Sequence, residues 1–142
     1  MNHLLRNVNS LFVATLFLAL AGCAGGVQQR DLYADVEIGI KAGYQLVEDL
    51  STQELAARAA GKPAGSIITR AQGEKALQTL DAAKTVSRLA ADTTSGCVQP
   101  RDAEAATALQ RLGLAGCITS DQVLIAALAA IRLLRENLGG SP

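Results

Sequence analysis

Histidine is nearly missing from this chain: its 142 residues contain one, His3. His3 falls in an N-terminal export signal, and without it the usual general base near neutral pH is lacking, so an enzyme would need a carboxylate dyad, a serine with a lysine, or a free cysteine. Lys41, Lys62, Lys75 and Lys84 have no serine at a recognised catalytic spacing. Gly61 and Lys62 are followed by Pro63, not by the serine or threonine of a phosphate-binding loop. Tryptophan is absent and the aromatic side chains are Phe12, Phe17, Tyr33 and Tyr44, too few for platforms that stack bases or sugars. No charge of one sign dominates either: 13 basic and 13 acidic residues give no field that would draw nucleic acid or an anionic surface. Cys97 and Cys117 show no Cys-x-x-Cys spacing and, with His3 lost in the export signal, have no histidine to complete a zinc site. The expectation is a protein that is not an enzyme, with no catalytic residue, no metal, no cofactor and no nucleic-acid partner.

What is present begins with an export signal. Arg6 supplies a positive start, and Val8 to Ala21 is apolar except for Asn9, Ser10 and Thr15, the order of a signal peptide. This apolar core is about a dozen residues long, whereas crossing a bilayer takes roughly 20. It ends in Leu20, Ala21, Gly22 and Cys23, which resembles the bacterial lipobox. That resemblance implies diacylglycerol on the Cys23 thiol, cleavage between Gly22 and Cys23, and, in Gram-negative bacteria, acylation of the freed amine. Small residues before the cut keep the scissile backbone accessible. Two or three acyl chains hold a protein stably where one does so only marginally, at about 0.8 kcal/mol per buried methylene. The alternatives are a permanent transmembrane helix, or an ordinary secretory signal with Cys23 as a structural cysteine. Ala24 and Gly25 follow Cys23 where an aspartate would disfavour outer-membrane sorting, so the resemblance implies the periplasmic face of the outer membrane.

The expected organisation is a signal peptide over residues 1–22, the lipidated cysteine and a linker over 23–29, a helical domain over 30–138 and a tail over 139–142. Removing 22 of the 142 residues leaves 120, enough for one domain with a core of its own. The signal takes only Arg6 and His3 of the titratable side chains other than cysteine, so the mature chain carries a net charge of about minus one and no histidine. The six linker residues Ala24 to Gln29 extend at most about 20 Å and keep the domain close to the lipid. With Cys23 acylated, Cys97 and Cys117 remain as an even pair in an exported chain and read as one disulfide. Closing a loop of that size is worth roughly 3 kcal/mol in the chain-entropy model. A redox-active or metal-binding pair is the alternative reading.

Along the mature chain the hydrophobic spacing is helical. Leu32, Val36, Gly39, Gly43, Leu46 and Leu50 alternate by four and three, predicting a helix over Asp31 to Leu50 with Tyr33, Ile40 and Val47 widening its stripe. Glycine inside a helix costs up to about 1 kcal/mol, so Gly39 and Gly43, one turn apart, point to close approach by another helix. Ser51 with Glu54 has capping-box spacing and suggests that a second piece restarts there and runs to Ala60. Gly61 to Ser66 make the clearest break. Thr69 and Gln72 open a helix to Ala91 with Ala76, Leu77, Leu80, Ala83, Val86, Leu89 and Ala90 as its stripe. Pro100 suits the first turn of a short helix striped by Ala103, Ala106, Leu109 and Leu112, inside the disulfide loop. Thr119 and Gln122 open the last helix, from about Ser120 to Asn137. Because Val123 to Ile131 is apolar all round, this helix should be either the central, most buried element or a surface used by a partner. Ile68, Thr69 and Gln72 recur as Ile118, Thr119 and Gln122, through shared capping chemistry or an old duplication. No stretch alternates as a strand does. The fold expected is all-α, a small antiparallel bundle of three to four helices with one disulfide.

Asp31, Asp35 and Glu37 cluster at the start of the first helix, where acidic side chains favour the helix dipole, and Glu48 and Asp49 lie further along. They read as a solvated face, and would form a hydrolytic site only if they converged with a lysine or serine. The run Ile68-Thr69-Arg70-Ala71-Gln72, followed by Ala76, Leu77, Leu80, Asp81, Ala82, Ala83 and Lys84, resembles small alanine-rich helical lipoproteins of tailed phages and prophages. Roles proposed in that group are interactions, such as blocking reinfection or assisting lysis; the proline-rich stretch of spanin-type lysis lipoproteins is lacking here. The resulting expectation is a membrane-anchored, non-catalytic interaction or structural module of the envelope that meets another envelope protein or itself. The rival is a carrier whose bundle encloses a small lipid or other apolar ligand.

Overall fold

The computed structural model describes residues 29–94 and 96–139, which form four α-helices and no strand. They are α1 (Gln29–Ala59), α2 (Arg70–Asp92), α3 (Ala103–Arg111) and α4 (Ser120–Gly139). Alanine recurs in all four, a side chain that loses no rotamer freedom on entering a helix. Each helix buries one stripe in a common core that contains Val36, Ile40, Leu80, Val86, Val123 and Leu124.

α1 runs unbroken through the expected restart at Ser51. The Ser51 hydroxyl donates to the Val47 carbonyl at 2.7 Å and Thr52 donates to Glu48 at 3.0 Å, so both side chains bond back along the helix where a cap would bond forward. The buried stripe is Val36, Ile40, Gly43 and Val47, one step round from the expected line, with Leu46 and Leu50 only half-buried. The shift follows from packing on two sides, since α1 touches both α2 and α4.

Thr69 and Gln72 form the capping box that opens α2. The Gln72 amide donates to Thr69 Oγ1 at 3.2 Å and the Thr69 amide to Gln72 Oε1 at 2.8 Å. Thr119 and Gln122 make the same pair of bonds before α4, at 3.4 and 3.0 Å. Ile68 and Ile118, which precede these caps, are both buried.

α3 starts later than Pro100 suggests. Asp102 is its N-cap and accepts from the Ala105 amide at 2.7 Å, which turns Ala105, Ala108 and Leu109 inward and leaves Ala103 and Ala106 exposed. The helix ends where Gly113 takes φ +71°, a left-handed backbone that glycine adopts without a Cβ penalty. The Leu114 amide closes that end on the Leu109 carbonyl at 2.9 Å.

The central helix is α2, not the last one. Among the described helices it alone touches the other three, and α3 touches only α2. α4 buries Val123, Leu124, Ala127, Ile131 and Leu134 but leaves Ile125 53% and Leu133 59% exposed. The physical reason is coverage, because α3 has nine residues and lies against α2, so no described element packs on the outer side of α4.

Candidate functional site

Three features of the described residues carry the chemistry: a cysteine pair, a buried carboxylate and an apolar surface. Gly22 and Cys23, expected from the sequence to be the cleavage and lipidation residues, lie outside the described residues.

Cys97 and Cys117, 20 positions apart in the chain, have their sulfurs at disulfide distance with Cα atoms 5.0 Å apart, in line with the pairing expected from the sequence. Next to the bridge the Val98 amide donates to the Ile118 carbonyl at 2.7 Å, and Val98 and Ile118 are both buried. Cys117 is exposed and Cys97 half-buried. The bridge therefore sits at the surface on an apolar footing, with α3 inside the loop it closes.

Glu54, which the sequence suggested as part of a capping box, is instead a buried carboxylate that holds the α1–α2 connection. Its Oε1 accepts from the Gly65 amide at 2.6 Å and from Arg58 Nε at 2.8 Å, and its Oε2 accepts from the Ile67 amide at 2.9 Å. Led by the Arg58 hydrogen bond, with the two loop amides behind it, these contacts lower the carboxyl to a pKa of about 2. The sequence signal is a glutamate one helical turn before an arginine, ahead of a glycine-rich loop whose amides lack helical partners.

Tyr44 donates its hydroxyl to Asp81 Oδ1 across the α1–α2 contact. Burial, and then that bond, push the phenol up to about 12. Tyr33 is raised by burial and by the neighbouring Glu37. Gly43 is buried, and a Cβ placed there would lie 2.5 Å from Leu80 Cδ2, while one at Gly39 would lie 3.3 Å from Ile131 Cγ2. The two glycines thus mark the close approaches that their spacing implied, one to α2 and one to α4.

No group of three or more histidine, cysteine, aspartate or glutamate residues suited to a metal occurs among the described residues. Asp31, Asp35 and Glu37, like Glu48 and Asp49, are exposed along α1. Every buried side-chain nitrogen or oxygen among the described residues has a hydrogen-bond partner.

The apolar surface lies on α4. Ile125, Ala129 and Leu133 recur every four residues on its outer face, all exposed. Beside Leu133 an open groove of about 560 Å³ runs between α4 and α2, lined by Ala76, Thr79, Ala130, Leu134 and Leu138 with Lys75 and Asn137 at its edges. At one end of the molecule Gln29 and Tyr33 share a cleft with Thr93 and Leu124, and elsewhere Gly139 shares one with Leu46 and Arg135. No described helix is long and apolar enough to cross a membrane.

Comparison with known proteins yields no match of any kind: no family model, no curated protein and no solved structure is similar enough to be paired with this chain.

Proposed function

We propose that this protein is a non-catalytic envelope lipoprotein, anchored through lipid on Cys23, whose helical domain binds another envelope protein or a second copy of itself. The observation that carries the reading is the exposed line of Ile125, Ala129 and Leu133 on α4. Apolar side chains that line up on one exposed helix face mark interaction surfaces more often than scattered ones do, and no described element covers this face of α4. The anchor comes from Leu20-Ala21-Gly22-Cys23. Ala24 and Gly25 favour the periplasmic face of the outer membrane, and the alanine-rich run from Ile68 favours an origin among phage or prophage lipoproteins.

In this reading the bundle is antiparallel about α2. Supporting this, late residues of α1 line a cleft with early ones of α2, as Leu55 with Thr69 and Gly73. Early α2 shares a groove with late α4 through Ala76 and Leu138, and Thr93, just past the end of α2, shares a cleft with Leu124 of early α4.

A photocrosslinking residue placed at position 125 or 133 in cells tests the interaction. A discrete adduct at both positions, absent when the probe replaces exposed Gln110 on α3, is the expected result. No adduct at either position, together with a monomeric lipid-free form, would overturn the proposal. The carrier reading draws on the groove beside Leu133. It predicts that protein extracted in native form retains stoichiometric lipid, and it fails if the extract carries none beyond the anchor.

A further inference from the structure

We propose that the Cys97–Cys117 bridge is a redox-operated strap that keeps α3 docked, so that its reduction by a dithiol releases α3 and uncovers a face of α2. Three observations carry this. α3 touches only α2, and it contributes one buried leucine, Leu109, with the small side chains of Ala105 and Ala108. It has nine residues, fewer than the roughly 12–15 that let a helix persist unaided. Cys117 is exposed, open to an attacking thiolate. Beside the bridge, buried Val98 and Ile118 share a hydrogen bond and half-buried Leu112 and Leu114 pack on the core, contacts that keep the flanks of the loop seated when α3 opens. The Arg101–Asp92 pair at 3.1 Å is exposed, and exposed pairs contribute little.

In the exchange, a thiolate of a Cys-x-x-Cys type reductant attacks Sγ of Cys117 and the S–S bond breaks. Cys97 leaves as a thiolate and takes up a proton. The second thiol of the reductant, once deprotonated, attacks the mixed disulfide and frees Cys117, which is protonated in turn. The bridge gains two electrons and two protons, and the dithiol becomes a disulfide. The uncovered face bears Ala82, now 3% exposed, which shares a cleft with Ala103, Thr107 and Ala108 of α3. Asp81 and Thr85 flank it where α3 now rests. This inference stands apart from the interaction at α4, and either can fail without the other.

The test is hydrogen exchange on the full chain in detergent, before and after dithiothreitol. Amides of Ala103–Arg111 should exchange at least about tenfold faster on reduction, a local opening, while Leu80 and Val86 in α2 stay protected and reoxidation restores the starting rates. Unchanged exchange in α3 would overturn the proposal, as would equal acceleration of α2 and α3, which marks a brace of the whole domain. The double variant Cys97→Ser with Cys117→Ser should fold and match the reduced protein, and its failure to fold would count equally against a strap.

Discussion

A carboxylate that accepts from two loop amides and a guanidinium together loses much of that bonding when it takes a proton. Glu54 does this for Gly65, Ile67 and Arg58, and its folded pKa of about 2 lies below the ordinary 4.5. The unfolded chain therefore binds the proton more readily, so stability rises with pH through this window. The contribution is complete above about 4.5 and is lost as pH falls toward about 2. Glu54→Gln should lower the thermal midpoint by several degrees at neutral pH. It should also flatten the fall in midpoint between about pH 5 and pH 2 relative to the native protein, as followed by circular dichroism. Equal acid slopes in the two proteins would show that the carboxylate does not hold the loop.

Glycines separate the helices by what surrounds them. At Gly43 an added Cβ meets the fully buried Leu80, with Cδ2 at 2.5 Å and Cγ at 3.4 Å, so the whole isobutyl group must move. Crowding of that kind costs about 1–3 kcal/mol against a helix-propensity gain of about 1. Gly43→Ala should therefore destabilise by about 1 kcal/mol in chemical denaturation. Gly73 is the opposite case, since its Cβ would meet only Ile68 Cδ1 at 3.9 Å. It stands four places into α2, where a hydrophobic staple partner of Ile68 would sit, while Val123 fills the equivalent place in α4. Gly73→Ala should stabilise by about 0.5–1 kcal/mol, and a loss of stability there would remove the distinction between the two sites.

These elements also show where the sequence was readable. Thr69 with Gln72 and Thr119 with Gln122 act locally, so their spacing alone located two helix starts. Ser51 with Glu54 has the same spacing but lies inside a continuous helix, where tertiary contact claims the carboxylate for a loop eleven residues on. The inward faces of α1 and α3 differed from the expected stripes because each depends on which neighbours arrive and on the Asp102 cap. The apolar run of α4 could not reveal how much cover it has, since that depends on the length and placement of α3.

At the scale of the molecule, anchor and surface are separable. Palmitate should label the native protein in cells and fail to label Cys23→Ser; a labelled serine variant would remove the anchor from the proposal. Leu133→Glu changes a side chain that is 59% exposed. It should leave stability within about 0.5 kcal/mol, measured by denaturant titration, while abolishing the crosslink at position 125. A stable, fully crosslinked Leu133→Glu protein would assign the contact elsewhere.

The two clefts at Gln29 and Gly139 give the domain a length as well as a surface. Gln29 lies with Leu124 and Gly139 with Leu46, so the point where α1 begins and the point where α4 ends are separated by most of a helix, roughly 25 Å at 1.5 Å per residue. A body met at the Gly139 end is held that much further from the start of α1 than one met beside Thr93. The domain is thus also a ruler, whose length between the start of α1 and the end of α4 is fixed by its helices.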